Sequence, residues 1–118
     1  MSLNKENRNI GYMLGRLFSL LEKAQEDANP GINATIRDRY FGSASASPGS
    51  VFPILLRLAQ HHIAKAEYGK FTDKRIEEVI SYIDSFPAHL NLEEQGQFVL
   101  GYYQQRQDLF KKIEKKEC

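Results

Sequence analysis

Ile10, Met13, Leu14, Leu17, Phe18, Leu21, Ala24 and Ala28 recur at steps of three and four residues. An α-helix, with about 3.6 residues per turn, gathers such positions onto one face, whereas a strand scatters them over both. The same spacing returns three times further along, and no segment sustains the two-residue alternation of a half-buried strand. The fold class that follows is all-α, a compact bundle of about five helices joined by short links.

The first helix is expected over residues 5–28, with Arg16, Glu22, Lys23 and Glu26 on the side away from the apolar stripe. Gly11 and Gly15 weaken it by roughly 1 kcal/mol each relative to alanine, and their spacing suits close approach of another backbone. "NPG" at 29–31 stops it, since the residue before proline resists the α region. A short helix should then run over residues 34–41, capped by Asn33, carrying Ile36 and Tyr40 on one face and closed by Gly42 in a left-handed conformation. "SASASPGS" behind it reads as a mobile loop of small residues that bury little.

A third helix starts where Ser47 or Ser50 can cap it and Pro48 or Pro53 can occupy its first turn. Phe52, Leu55, Leu56, Leu58, Ala59, Ile63 and Ala66 form its apolar side, with Arg57, Gln60, His61, Ala64 and Lys65 opposite, and "YGK" ends it. Thr72 should cap a fourth helix whose stripe is Ile76, Val79, Ile80 and Ile83, halted before Pro87. Asn91 with Glu94 three residues later forms a capping box for the fifth. Its core side is expected to include Leu92, Val99, Tyr102, Tyr103, Leu109, Phe110 and Ile113.

A length of 118 residues fits a single domain spanning 1–118, with 1–9 and 112–118 expected to fray. No apolar run approaches the ~20 residues of a membrane span, and the polar start "MSLNKENRN" has no signal-peptide core. A cytoplasmic, soluble chain without membrane contact is the expectation. One cysteine, Cys118, allows no internal disulfide and no cysteine-based zinc site.

Catalysis finds little purchase. His61, His62 and His89 have no nucleophile-elbow or related signature around them, so an enzyme is not expected. His61 and His62 are adjacent and diverge by about 100° on a helix, and neither HExxH nor an acidic calcium loop is present, so no metal or other cofactor is expected. The bland reading puts one histidine at the core rim and the other on the surface.

Charge is the more informative signal. The net charge is +1, yet residues 31–75 hold seven basic groups against three acidic, and residues 76–118 hold five against eight. Arg57, His61 and Lys65 fall at i, i+4 and i+8, a basic ridge on the third helix. Arg37 and Arg39 precede it, and Arg39 adjoins Tyr40 and Phe41, pairing a phosphate binder with rings that could stack a base or fill the core. Arg37, Arg39, Arg57, His61 and Lys65 are therefore the candidate nucleic-acid-binding residues. Such a set would follow a phosphate backbone without reading sequence. The alternative is an ordinary solvated face, or a helical docking module whose arginines pair with acidic protein surfaces.

The strings "YMLGRLFSLLEKAQEDANPGINATIRDRYFGSASASP", "VFPILLRLAQHHIAKAE" and "FPAHLNLEEQGQFVLGYYQQRQDLF" resemble the C-terminal region of the large subunit of the type I-C CRISPR Cascade effector. The resemblance covers about residues 10–110, in three long segments in the same order. It implies a helical bundle, also made separately as a small subunit, present in more than one copy and lining the belly of the crRNA-guided complex. It implies a non-catalytic role in holding unwound target DNA during R-loop formation. The implied partners are the large subunit, the crRNA-bound backbone subunits, further copies of the chain and single-stranded regions of the target. Arg37, Arg39, Arg57, His61 and His62 occupy positions within the matching strings. A different class of function stays open beside this one, a protein–protein scaffold in which the arginines meet acidic patches on neighbouring subunits.

Overall fold

A computed structural model describes the backbone of residues 3–29, 31, 35–65 and 69–117, and the side chains of those positions other than 65, 69–71 and 111–117. Five helices follow one another: α1 (Ile10–Ala28), α2 (Ile36–Ala46), α3 (Pro48–Lys65), α4 (Gly69–Ile80) and α5 (Leu92–Glu117). No strand occurs among the described residues.

α1 is the axis of the molecule. It packs against all four other helices, most extensively against α5. Every residue from 11 to 22 is buried, so the one-sided stripe expected from the sequence is only its most apolar direction. Arg16 and Glu22, expected on the solvent side, are 5% and 4% exposed. The reason is geometric. A helix with neighbours on every side has no solvent face; Arg16 and Glu22 offset the cost of burial by finding partners, whereas the buried Ser19 hydroxyl has none among the described residues.

The α1–α5 seam is held by glycine. A Cβ built on Gly15 would lie 2.0 Å from the Phe98 carbonyl oxygen, and one on Gly11 would lie 2.0 Å from that of Glu94. From the other side, a Cβ on Gly101 would lie 2.1 Å from the Tyr12 carbonyl oxygen. The spacing of Gly11 and Gly15 therefore does admit a second backbone. Around this seam Phe18 sits amid Phe41, Phe52, Phe98 and Tyr102, with ring centroids 5.6, 6.4, 5.8 and 5.8 Å away. Edge-to-face rings at such distances add attraction beyond the area they bury.

Several boundaries differ from expectation for local reasons. α2 begins after Thr35, not after Asn33, which lies outside the described residues. Thr35 and Asp38 form a capping box: the Thr35 amide donates to the Asp38 carboxylate at 2.9 Å, and the Thr35 hydroxyl accepts from the Arg37 amide at 3.2 Å. Gly42 does not close α2 and has no positive φ. The helix runs on through "SASA", where Ala44 is fully buried, so the expected mobile loop is a helical turn packed on the core. Its small side chains let α2 lie close to its neighbours. Ser47 alone separates α2 from α3, and Pro48 opens α3, where a missing amide costs nothing. On α3, Leu58 is exposed rather than buried, and Val51 joins Phe52, Leu55 and Ala59 in the core. Ala66 lies outside the described residues.

α4 starts at Gly69, inside the "YGK" expected to end α3, so Thr72 lies within the helix, buried, rather than capping it. The loop after α4 is tied back to the α2–α3 junction. Gly49 donates its amide to the Pro87 carbonyl at 2.9 Å, Leu90 donates to Ala46 at 3.1 Å, and Phe86 stacks on Phe52. The α5 capping box forms as expected, with Asn91 N donating to Glu94 Oε1 at 2.9 Å and Glu94 N to Asn91 Oδ1 at 2.8 Å. The α5 register differs. Phe98, Tyr102, Gln105 and Leu109 face the core, whereas Leu92, Val99, Tyr103 and Phe110 are exposed. Gly101 sets this register, because the close approach to Tyr12 must fall on the seam.

Ahead of α1, the chain is bonded to the bundle. Asn4 donates its amide to the Tyr12 hydroxyl at 2.9 Å, Asn7 bonds Gln97 at 3.2 Å, and Arg8 lies over the Tyr82 ring at 3.8 Å. Asn9 caps α1 through the Gly11 amide.

Candidate nucleic-acid interface

The basic residues of α2 stand on an anchored platform. The Glu22 carboxylate accepts from the Thr35 hydroxyl at 2.8 Å and from the Tyr102 hydroxyl at 2.5 Å. One turn on, the Gln25 side-chain carbonyl accepts from the Ile36 amide at 2.7 Å. α1 thus grips the start of α2 at two points and joins it to α5. Burial pushes the Tyr102 phenol well above its ordinary pKa, and its bond to Glu22 adds to the shift. Tyr102 therefore acts as a fixed donor.

Arg37 leaves this platform half-buried. Its guanidinium donates to the Tyr103 hydroxyl at 2.5 Å and lies 5.6 and 5.4 Å from the Tyr102 and Tyr103 ring centres. An arginine has five N–H donors, so most of them remain for another acceptor. Arg39, two residues further along the helix, is exposed. Tyr40 is half-buried against the core, and Phe41 packs on Phe98 and Tyr102 at 5.3 and 5.1 Å. Of the two readings of these rings, stacking platform or core, the structure packs both against the core, half-buried.

On α3, Arg57 and His61 are exposed on one face, and Ile54 and Leu58 share that face at 47% and 39% exposure. His62 is half-buried beside them. Lys65 is the last residue of α3, and its side chain lies outside the described set. Among the described residues, no hydrogen bond or ion pair engages Arg39, Arg57 or His61. The five candidates therefore fall into two groups: Arg57 and His61 along α3, and Arg37 and Arg39 on α2, with Arg37 drawn toward α5.

Two polar clusters within the bundle are not evident as such from the sequence. Arg16 donates from Nε to Gln105 Oε1 at 3.0 Å in a cleft also lined by Lys5, Arg75, Glu78 and Asp108. Burial holds its pKa below the ordinary arginine value, opposed by Tyr12, Glu78 and Asp108. The other cluster gathers Glu22, Lys23, Glu26 and Arg106 around the buried Ser19. There burial raises the Glu26 pKa, with Glu22 adding to the effect and Arg106 and Lys23 opposing it. A carboxylate so raised is favoured in its neutral form in the folded state, so its contribution to stability declines as pH rises from the ordinary glutamate value of about 4.3. Glu26→Gln should therefore melt higher than the parent at pH 7 and match it near pH 4. A thermal-melting series across that range checks the sign.

The described residues include no helix long and apolar enough to cross a membrane. Residues 1–110 match a family model described as CRISPR-associated protein (Cas_Csd1). No curated protein matches the chain.

Proposed function

The chain belongs to the CRISPR-associated Cas_Csd1 family of type I-C systems, and on that premise we propose that it is the non-catalytic small subunit, or the equivalent large-subunit domain, of a cytoplasmic RNA-guided DNA-surveillance complex. In this role it holds unwound target DNA by its backbone. The observation that carries the reading is the exposure of Arg39, Arg57 and His61 on two consecutive helices, with no hydrogen bond or ion pair engaging them among the described residues. Arg37 and Lys65 extend the set at either end.

The mechanism is electrostatic. Exchanging a DNA duplex for an RNA–DNA duplex is nearly balanced in free energy, so a few phosphate contacts shift it. No base needs to be read by the protein, because the guide supplies the sequence. A rigid bundle suits this task, since side chains on anchored helices lose less freedom when they bind than side chains on a loop. Several copies aligned in one assembly multiply contacts that are individually weak.

Arg39→Ala combined with Arg57→Ala should weaken target binding by the assembled complex. It should also flatten the salt dependence, by about 0.7–0.9 in log–log slope for each phosphate that the variant no longer neutralises. These positions are preferred over Arg37, whose removal would also break its bond to Tyr103. Unchanged affinity and slope would sink the reading.

Ile54 and Leu58 favour a second reading. Exposed aliphatic residues mixed with arginine suit a protein partner as well as DNA. In that case α3 is a scaffold surface against other subunits or another copy. The same double variant would then drop out of the purified complex, and native mass spectrometry of subunit stoichiometry separates the two.

A further inference from the structure

The outward face of α5 carries two exposed rings, each beside an arginine. Tyr103 is 40% exposed and bonded at its hydroxyl to Arg37. Phe110 is 44% exposed, with the Arg106 guanidinium 5.1 Å from its ring centre. Positions 103, 106 and 110 lie along one stripe of a helix, and seven residues separate the rings by about 10 Å along its axis. We propose that Tyr103 and Phe110 form a base-stacking row that takes unpaired bases of a single DNA strand, while Arg37 and Arg106 take its phosphates.

The chemistry fits a single strand better than a duplex. Unpaired bases offer flat faces of every sequence, and ring stacking accepts any of them. Cations beside the rings are what a strand needs between successive bases, because its phosphates alternate with them. Glu26 lies near Arg106 and tempers its charge, so the Tyr103 end, with Arg37, is the more strongly cationic half. The row also explains why α5 leaves large rings outside while its core register runs through Phe98, Tyr102 and Leu109.

The inference rests on the DNA-holding reading above and can fail without it. The test titrates the full chain at low salt with a single-stranded oligodeoxynucleotide carrying 2-aminopurine, whose fluorescence falls on stacking. The parent should quench the probe. Tyr103→Leu should weaken binding about five- to hundredfold and lose the quenching, with its salt slope unchanged. Tyr103→Phe, which keeps the ring, should bind within about twofold of the parent. Phe110→Leu repeats the test at the second ring and stands in if Tyr103→Leu does not melt like the parent.

If both leucine variants bind and quench like the parent while Arg39→Ala weakens binding, the stacking row is overturned and the phosphate-contact reading survives. If the parent binds no strand even at low salt, the stacking row is overturned, and the phosphate-contact reading is decided by the Arg39→Ala/Arg57→Ala variant of the assembled complex. If the leucine variants leave DNA binding intact and instead lose self-association or subunit binding, the face is a protein contact and the row is overturned.

Discussion

Gly15→Ala should destabilise the protein by about 2–3 kcal/mol, although alanine is the better helix former by roughly 1 kcal/mol. The added Cβ would stand 2.0 Å from the Phe98 carbonyl oxygen, where real contacts essentially never fall below 3.0 Å. The obstacle is backbone of a packed helix and cannot swing aside. α1 and α5 must separate instead, which loosens Phe18 against Phe98 and Tyr102. For a domain whose total stability is on the order of 5–15 kcal/mol, the loss should lower the melting temperature by about 10 °C. Gly96→Ala is the matched control. It lies in α5 with nothing within 4 Å of a new Cβ, so it should gain up to about 1 kcal/mol. Denaturant melts of the two variants decide the point, and a similar response from both would refute the close-packed seam.

The second large effect is expected at Glu22. Glu22→Ala removes the acceptor for both the Thr35 and the Tyr102 hydroxyls, and leaves the Tyr102 donor buried without a partner. Hydrogen bonds to a charged group contribute about 1.5–3 kcal/mol each, and an orphaned buried donor costs about 1–3 kcal/mol. A total of about 3–5 kcal/mol is expected, of the size seen when one partner of a buried charged contact is deleted. Glu22→Gln keeps an acceptor oxygen and should lose about half as much. Tyr102→Phe, which removes the donor and keeps the ring, should lose about 1–2 kcal/mol. The double variant Glu22→Gln/Tyr102→Phe should then be less destabilised than the sum of its parts, because the two share one bond. Hydrogen exchange adds a local readout. Amides at the start of α2 should open first in the Glu22 variants, since that residue and Gln25 tie Thr35 and Ile36 to α1. Strict additivity, or faster exchange spread evenly over the chain, would argue against an anchoring network.

These two sites differ in how far the chain alone reveals them. Gly15 is legible as a place of close approach, because the four-residue step from Gly11 puts both on one helical face. Which backbone comes near is not, since Phe98 is 83 positions further on in the sequence. Glu22 reads as a solvent residue from its spacing relative to the apolar stripe, and only the presence of α2 and α5 around α1 makes the position interior. Arg16 is likewise interior only because α4 and α5 flank it. For the candidate interface, charge and helical spacing alone pick out Arg39, Arg57 and His61, and all three are exposed. Tyr103 reads as core because the apolar residues of α5 wrap more than one face. Gly101 does not reveal the register by itself, since Gly96 of the same helix meets nothing within 4 Å and only the packing against Tyr12 tells the two apart.

By itself the sequence determined that the chain is helical, where α1 stops, and how Asn91 and Glu94 start α5. These depend on contacts within about four residues, so the information is local and complete in the string. Tertiary structure alone decided that α1 is the central helix, that "SASA" stays helical over a buried Ala44, and that Tyr103 faces outward beside Arg37. Each of these turns on which distant segment packs alongside, a choice made by the mutual burial of whole helix faces. No short stretch of sequence contains both partners of that choice.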